Sequence, residues 1–274
     1  FIVNKIGPSV SVDVSDISYG MVPGFSAVVT GLDGVVLDNS SVTFVVFDKD
    51  GNDVTRLSIL SAGEYTVVAS YPGNENYTVC NVSNVFVVSK VAPVVNVVVD
   101  DVSYGAVPVI VANVTGVDGS VIGYVDVKVY DVNNVEVDIN NRLAVGTYTV
   151  VANFAGNENY INASSSGSFV VNKIKPVLNV NVLESVDYGQ VVVITVDVPV
   201  DAAGNVTLTI GGKNYTGFVE CGNVIFNISD LGAKSYDIIV VYSGDNNYTN
   251  VSAPASFIVN KIGPSVSVDV SDIS

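Results

Sequence analysis

Residues 63–77 read GEYTVVASYPGNENY, residues 146–160 read GTYTVVANFAGNENY, and residues 234–248 read KSYDIIVVYSGDNNY. In each block the residues from the first Tyr onward are rich in Tyr, Val, Ile, Ala and Phe, the composition of a β-strand. Each then breaks into a Gly-Asn or Gly-Asp turn signal. Three copies of one strand-and-turn pattern make the chain a tandem array.

Punctuation around the blocks recurs in step. A Lys follows each last Tyr by thirteen residues (Lys90, Lys173, Lys261), and a Pro follows within three more (Pro93, Pro176, Pro264), matching Pro8. Pro to Pro, the spacings are 85, 83 and 88 residues (93 − 8, 176 − 93, 264 − 176). Eleven or twelve residues after each Pro stands a Tyr-Gly pair: Tyr19-Gly20, Tyr104-Gly105 and Tyr188-Gly189. Above this lies a stricter repeat. FIVNKIGPSVSVDVSDIS occupies residues 1–18 and again 257–274, a period of 256 residues (257 − 1). Three divergent units nested in one perfect period imply an old duplication followed by a recent one. An array gains length from near-identical copies, whereas an enzyme gains little.

Units of this size hold a modest core. The runs 9–15 (SVSVDVS), 42–48 (VTFVVFD), 125–131 (VDVKVYD), 148–154 and 169–173 are rich in Val, Ile, Tyr, Phe and Thr, with Gly, Asn, Asp and Pro between them. No segment carries a sustained helical period. The expectation is all-β: tandem immunoglobulin-like sandwiches of about seven strands each, in an extended array. Domain bounds follow at 8–91, 92–174 and 175–262. Residues 1–7 are read as the last strand of a preceding domain, and 263–274 as the first strand of the next period. A Leu precedes each block's first Tyr by five residues (Leu60/Tyr65, Leu143/Tyr148, Leu231/Tyr236), the setting of a tyrosine corner. Residues 207–220 of the third unit, TLTIGGKNYTGFVE, are read as an added hairpin turning at Gly211-Gly212.

The run L-x-x-G-x-Y-x-V-x-A-x-Y/F-x-G-N-x-N-Y, followed by S-x-F-x-V-x-K, resembles the immunoglobulin-like repeats of large bacterial surface proteins. It is similar above all to the adhesin-like proteins of methanogenic archaea. The resemblance covers all three units. It implies a secreted, cell-surface chain of many such domains, and implies no catalytic residue.

Charge and composition narrow the function. Lys and Arg number 11 against 27 Asp and Glu, a formal charge of −16. So acidic a chain is repelled by nucleic acid and by anionic lipid, and it resists indiscriminate edge-strand pairing. Hydrophobic residues reach 49%, yet Asp, Asn, Ser or Gly interrupts every run short of the ~18 apolar residues of a membrane span. Asn-x-Ser/Thr occurs at Asn39, Asn76, Asn81, Asn113, Asn162, Asn205, Asn214, Asn227, Asn247 and Asn250. That density exceeds chance and marks them as N-glycosylation candidates in an extracellular chain. The competing reading is that Asn, Ser and Thr simply co-occur in turns and on strand surfaces.

The absence of His removes the usual general base, the Ser-His and Cys-His pairs and the commonest transition-metal ligand. No enzyme is expected, and no cofactor. Asp48, Asp50, Asn52 and Asp53 around Gly51 are a weak calcium candidate, but they lack a terminal Glu and read first as a hairpin turn. Cys80 and Cys221 lie in units one and three. They are read as free thiols, with an inter-domain or inter-chain cross-link as the alternative.

The reading is therefore a structural repeat of an extracellular cell-surface fibre or adhesin-like protein, acting as a rigid shaft or spacer. Its partners are further copies of itself head-to-tail, with lateral homo-association open, and neither nucleic acid nor membrane insertion. A self-assembling filament whose modules pack or exchange strands is the alternative. Direct adhesion to carbohydrate or protein is a third reading, which lacks a Trp platform.

Overall fold

The computed structural model describes residues 2–269. Among them the chain is strands and loops, with one 3₁₀ turn at Leu32–Gly34 and no α-helix. The first repeat carries β1 (Ser9–Val14), β2 (Ile17–Ser18), β3 (Phe25–Thr30), β4 (Thr43–Asp48), β5 (Gly63–Tyr71) and β6 (Cys80–Ser89). The second carries β7 (Val94–Val99), β8 (Val102–Ser103), β9 (Ile110–Thr115), β10 (Asp126–Tyr130), β11 (Gly146–Phe154) and β12 (Ala163–Asn172). The third carries β13 (Asn179–Asn181), β14 (Ser185–Asp187), β15 (Val192–Asp197), β16 (Asn205–Ile210), β17 (Lys213–Phe218), β18 (Asn223–Ile228), β19 (Ser235–Tyr242) and β20 (Val251–Asn260).

Each repeat splits its strands between two sheets in the same way. The orders are β1-β3 with β2-β6-β5-β4, β7-β9 with β8-β12-β11-β10, and β13-β15-β18 with β14-β20-β19-β16-β17. The first strand thus crosses from one sheet to the other. Its second half runs parallel to the last strand: Ile17 opposite Val88, Val102 opposite Val171, and Ser185 opposite Ile258. Antiparallel sheets joined by one parallel edge pair make tandem immunoglobulin-like sandwiches. The third repeat has eight strand segments where the others have six. Its longer insert folds into the hairpin β16–β17, with Ile210 opposite Lys213 across Gly211-Gly212, and then returns as β18 beside β15. The first repeat has no such strand between β4 and β5; Leu60 from that loop fills the core instead, at 3% exposure.

Burial follows the period of two. Along β5 the inward set is Tyr65, Val67, Ala69 and Tyr71, and along β19 it is Tyr236, Ile238, Val240 and Tyr242. By contact the chain divides into two compact units. One comprises Phe1–Val98, Ile110–Lys128 and Val150–Gly167; the other comprises Val99–Val109, Val129–Thr149 and Ser168–Ser274. In the first, Phe25 and Tyr65 both pack against Phe86. In the second, Tyr236 stacks on Phe257 with ring centroids 5.4 Å apart, and Ile194, Val206 and Leu208 are fully buried.

Of the flanking segments, residues 2–5 form no strand and Ile6 makes a single parallel bridge to Tyr77. Residues 263–269 carry no strand, and residues 1 and 270–274 lie outside the described residues.

Candidate functional site at the repeat junctions

The tyrosines that open each block return their hydroxyls to backbone four residues upstream. Tyr65 Oη donates to Ser61 O at 2.8 Å, Tyr148 Oη to Ala144 O at 2.9 Å, and Tyr236 Oη to Gly232 O at 3.0 Å. These are tyrosine corners, and in the first two repeats they pin the loop that reaches the following repeat through Ala62 and Val145. At the third, Lys234 replaces Gly63 and Gly146 of the other repeats; its ammonium lies 4.9 Å from the Tyr236 ring centroid and the corner bond is kept.

The tyrosines that close each block mark the junctions. Within the first unit, Tyr19 of the first repeat meets Tyr160 of the second edge-on, with centroids 5.3 Å apart and planes at 73°. Tyr160 Oη accepts from Val117 N at 3.0 Å. Gly116 leaves the space that the hydroxyl needs, since a Cβ there would lie 2.2 Å from it. Two further side-chain bonds and a backbone bridge tie this junction. Ala62 N donates to Asn159 Oδ1 at 2.9 Å, Lys90 Nζ donates to Asn157 O at 2.8 Å, and Val91 forms a parallel bridge with Tyr160.

Within the second unit the same positions meet again. Tyr104 lies edge-on to Tyr248 at 5.6 Å and 81°. Val145 N donates to Asn247 Oδ1 at 3.3 Å, Lys173 Nζ to Asp245 O at 2.6 Å, and Ile174 bridges Tyr248 in parallel. Here a charged group is added. Asp201 Oδ1 accepts from Tyr248 Oη at 2.7 Å, while its Oδ2 accepts from Tyr104 Oη at 2.9 Å and from Arg142 Nη1 at 2.7 Å. The guanidinium also lies 5.4 Å from the Tyr104 centroid. The Tyr248 hydroxyl bond holds the Asp201 carboxyl below its ordinary range, with Tyr104 and Arg142 adding to it. Burial first, then the neighbouring carboxylate, pushes the Tyr248 phenol up to about 12.

A left-handed glycine shapes each block's turn. Gly73, Gly156 and Gly244 have φ of 81°, 88° and 77°, and a Cβ on any of them would come within about 3.0 Å of the backbone carbonyl of Tyr77, Tyr160 or Tyr248. The Asn or Asp that follows accepts from the closing tyrosine's own N–H: Asn74 from Tyr77, Asn157 from Tyr160, Asp245 from Tyr248. The Gly-Asn signal of the sequence is thus an Asx-type turn that presents the tyrosine.

Other candidates lie elsewhere. Asp48 closes the β4 turn by accepting from Asp50 N, Asn52 N and Asn52 Nδ2, while Asp53 caps Thr55 and Lys49 pairs with Asp50 at 2.8 Å. Hydrogen bonds from Asn52 hold the Asp48 carboxyl below its ordinary range. Among the described residues, no three His, Cys, Asp or Glu side chains gather as a metal ion would require. Cys80 is half-buried and Cys221 exposed, both as free thiols. Cys221 and Gly222 have φ of 49° and 78°, forming the tight turn into β18. Among the sequon asparagines, Asn76, Asn81, Asn162, Asn214, Asn227 and Asn250 are exposed; Asn113, Asn205 and Asn247 are half-buried. Asn39 is exposed, but its Nδ2 donates to Ala27 O at 2.7 Å.

Sequence reading found the Tyr-Gly pairs and the block tyrosines as periodic marks without showing that they meet. Arg142 and Asp201, 59 residues apart, carried no signal that would join them.

No protein-family model and no curated protein matches the chain. Among solved structures it is similar to a three-immunoglobulin-domain segment of titin (an E-to-A variant), at 13% identity over 93% of this chain and 99% of that one, TM-score 0.36. It is similar also to immunoglobulin domains 1–5 of Sidekick-1, at 14% identity over 93% of this chain and 59% of that one, TM-score 0.30. The three N-terminal domains of the Highly Immunogenic Outer Capsid protein of bacteriophage RB49 share 15% identity over 94% of this chain and 99% of that one, TM-score 0.29. What makes these repeats immunoglobulin-like is their own sheet order and tyrosine corners. No helix among the described residues is long and apolar enough to cross a membrane.

Proposed function

We propose that this chain is a structural repeat of an extracellular, cell-surface protein, a non-catalytic spacer built from immunoglobulin-like domains at 8–91, 92–174 and 175–262. The observation that carries this is the junction. The same ring pair, Asn-capped loop and Lys-to-carbonyl bond recur at both within-chain joints. A chain selected to hold its modules in fixed sequence order, and equipped with no His, is suited to bearing load and length rather than chemistry. Its acidity and dense sequons support an outer-surface setting, in line with the resemblance to archaeal adhesin-like proteins. The exposed sequons other than Asn76 are the glycan acceptors in this reading. Immunogold labelling of intact native cells tests it. Label along surface projections is expected, and label confined to the cell interior overturns it.

A second reading, lateral packing into filaments, is favoured by one observation. The outward faces of the third repeat carry Val193, Ile225, Ile239 and Ile258, each about half exposed. Electron microscopy of the purified protein separates the two: isolated strings for the spacer, uniform thick filaments for self-assembly.

A further inference from the structure

We infer that the end of the third repeat carries the open half of a third junction, and that its occupant is the first repeat of a following 256-residue copy of this chain. The inference rests on the tandem-repeat part of the proposed function and is indifferent to the cell-surface part.

The two junctions within the chain use one set of positions. A Tyr-Gly pair gives the ring, the residue three before the corner tyrosine gives an N–H, and the linker Lys gives an ammonium. The third repeat has all three: Tyr188, Ala233 and Lys261. The first repeat has all three receivers: Tyr77, Asn76 and the Asn74 carbonyl. These positions are more exposed than their equivalents. Tyr188 is 54% exposed, whereas Tyr19 and Tyr104 are half-buried. Tyr77 is half-buried, whereas Tyr160 and Tyr248 are 4% and 5% exposed. Leu231, beside Ala233, is only half-buried, whereas Leu60 and Leu143 are buried. Pro264 is exposed, whereas Pro8, Pro93 and Pro176 are buried.

The linker supplies independent support. Residues 257–274 repeat 1–18, so Lys261-Ile262 is the same dipeptide as Lys5-Ile6. Ile6 already sits against Tyr77 as Val91 sits against Tyr160. Ile6 N donates to Asn76 O at 3.2 Å and Thr78 N donates to Ile6 O at 2.9 Å; Val91 N to Asn159 O is 3.2 Å and Ile161 N to Val91 O is 3.0 Å. The receiving groove therefore holds this very sequence in register.

The type of junction also follows. Tyr77 Oη accepts from Leu32 N at 3.0 Å beside Gly31, as Tyr160 Oη accepts from Val117 N beside Gly116. The third repeat has Asp230 where the second has Arg142 before the loop Leu, so it brings no guanidinium to the junction. The third junction is of the first kind: Tyr188 edge-on to Tyr77, Gly189 against Leu32, Ala233 N–H to Asn76 Oδ1, and Lys261 Nζ to Asn74 O.

The test compares the 274-residue chain with a two-copy chain in which residues 19–274 follow residue 274 again. Conservative marker substitutions distinguish peptides from the two copies. In the two-copy chain, the first-copy Ala233 amide should exchange about tenfold more slowly than the second-copy one, nearing the rates of Ala62 and Val145. First-copy Tyr188 should resist nitration that modifies second-copy Tyr188. Tyr188→Ala in the first copy should abolish the Ala233 protection; in the second copy it should change nothing. Equal exchange and equal nitration in both copies overturn the inference. So does equal protection of Ala233 in the monomeric 274-residue chain, which would place its source within one copy. Neither outcome bears on where the protein resides.

Discussion

Removing the rings that meet at the first junction measures how firmly one repeat holds the next. Tyr19 packs against the first repeat's core around Phe86 and Val88 and against Val114, Phe154 and Tyr160 of the second. Tyr160 is 4% exposed, so Tyr160→Ala should cost about 3–5 kcal/mol, the usual loss for a buried aromatic. Tyr19 is half-buried, and Tyr19→Ala should cost about 2 kcal/mol from lost apolar area. Edge-on geometry at 5.3 Å predicts that the double variant loses less than the sum, by about 0.5–1.5 kcal/mol. Amide exchange of β5, β6 and β9 peptides is the suitable assay, because a multi-repeat chain need not unfold in one step. Tyr160→Phe is the control: it gives up only the Val117 bond, about 1 kcal/mol, and must keep the coupling to Tyr19. Additivity within about 0.3–0.5 kcal/mol would refute the claim that the rings join the repeats.

Four further outcomes are expected. Tyr148→Phe deletes a corner hydrogen bond to Ala144 O and should cost about 1 kcal/mol, read as a lower urea midpoint for exchange in β11 and β12. Gly244→Ala should destabilise more than Gly105→Ala: both have φ near +80° to +90°, but only at Gly244 would the new Cβ strike backbone, 2.8 Å from Tyr248 O; thermal denaturation ranks them. Asp201 has a depressed pKa in the fold, so its contribution stands above the ordinary carboxylate range and is lost as pH falls through the folded value; amide exchange at Val145 should accelerate in acid, and Asp201→Asn should remove that dependence. Tyr248 runs the other way. Its phenol is raised from 10.0 to about 12, so the junction is intact below pH 10 and weakens as pH rises toward 12, which phenolate absorbance with and without Tyr248→Phe will show.

Much of the fold could be read from residue patterns because it is encoded locally. Alternation along β1 sets which of its faces is inward, and the Leu-to-Tyr spacing places the corner. Gly211-Gly212 supplies two left-handed residues where the added hairpin turns. Strand number was less legible. Residues 54–62 have apolar content enough for a strand, yet in the first repeat they run as loop with Leu60 as an anchor. The junction was half legible. Its tyrosines recur on schedule, but Asn159 and Asn247 look like ordinary turn residues, and Asn247 also like a glycan acceptor. Their role as acceptors for Ala62 and Val145 depends on loops 97 and 102 residues away. No local pattern encodes a partner at that distance.

The repeated segment isolates what local pattern cannot decide. Ile2-Val3-Asn4 and Ile258-Val259-Asn260 are the same residues in the same local order. Yet Val259 is 3% exposed within β20, while Val3 is 78% exposed and outside any strand. In β20 those residues end a ten-residue strand begun at Val251, which pairs with β19 from Tyr242 opposite Val251 to Ser235 opposite Ile258. A short apolar run gains too little from propensity alone to offset the entropy of extending it. It becomes a strand only where a neighbour offers both a hydrogen-bonding edge and a core to fill. Ile6, two residues beyond the unpaired copy, still finds its place against Tyr77, because the groove that receives it belongs to the repeat that follows. Strand and linker in this eighteen-residue segment therefore answer to different repeats, the strand to the one before and the linker to the one after.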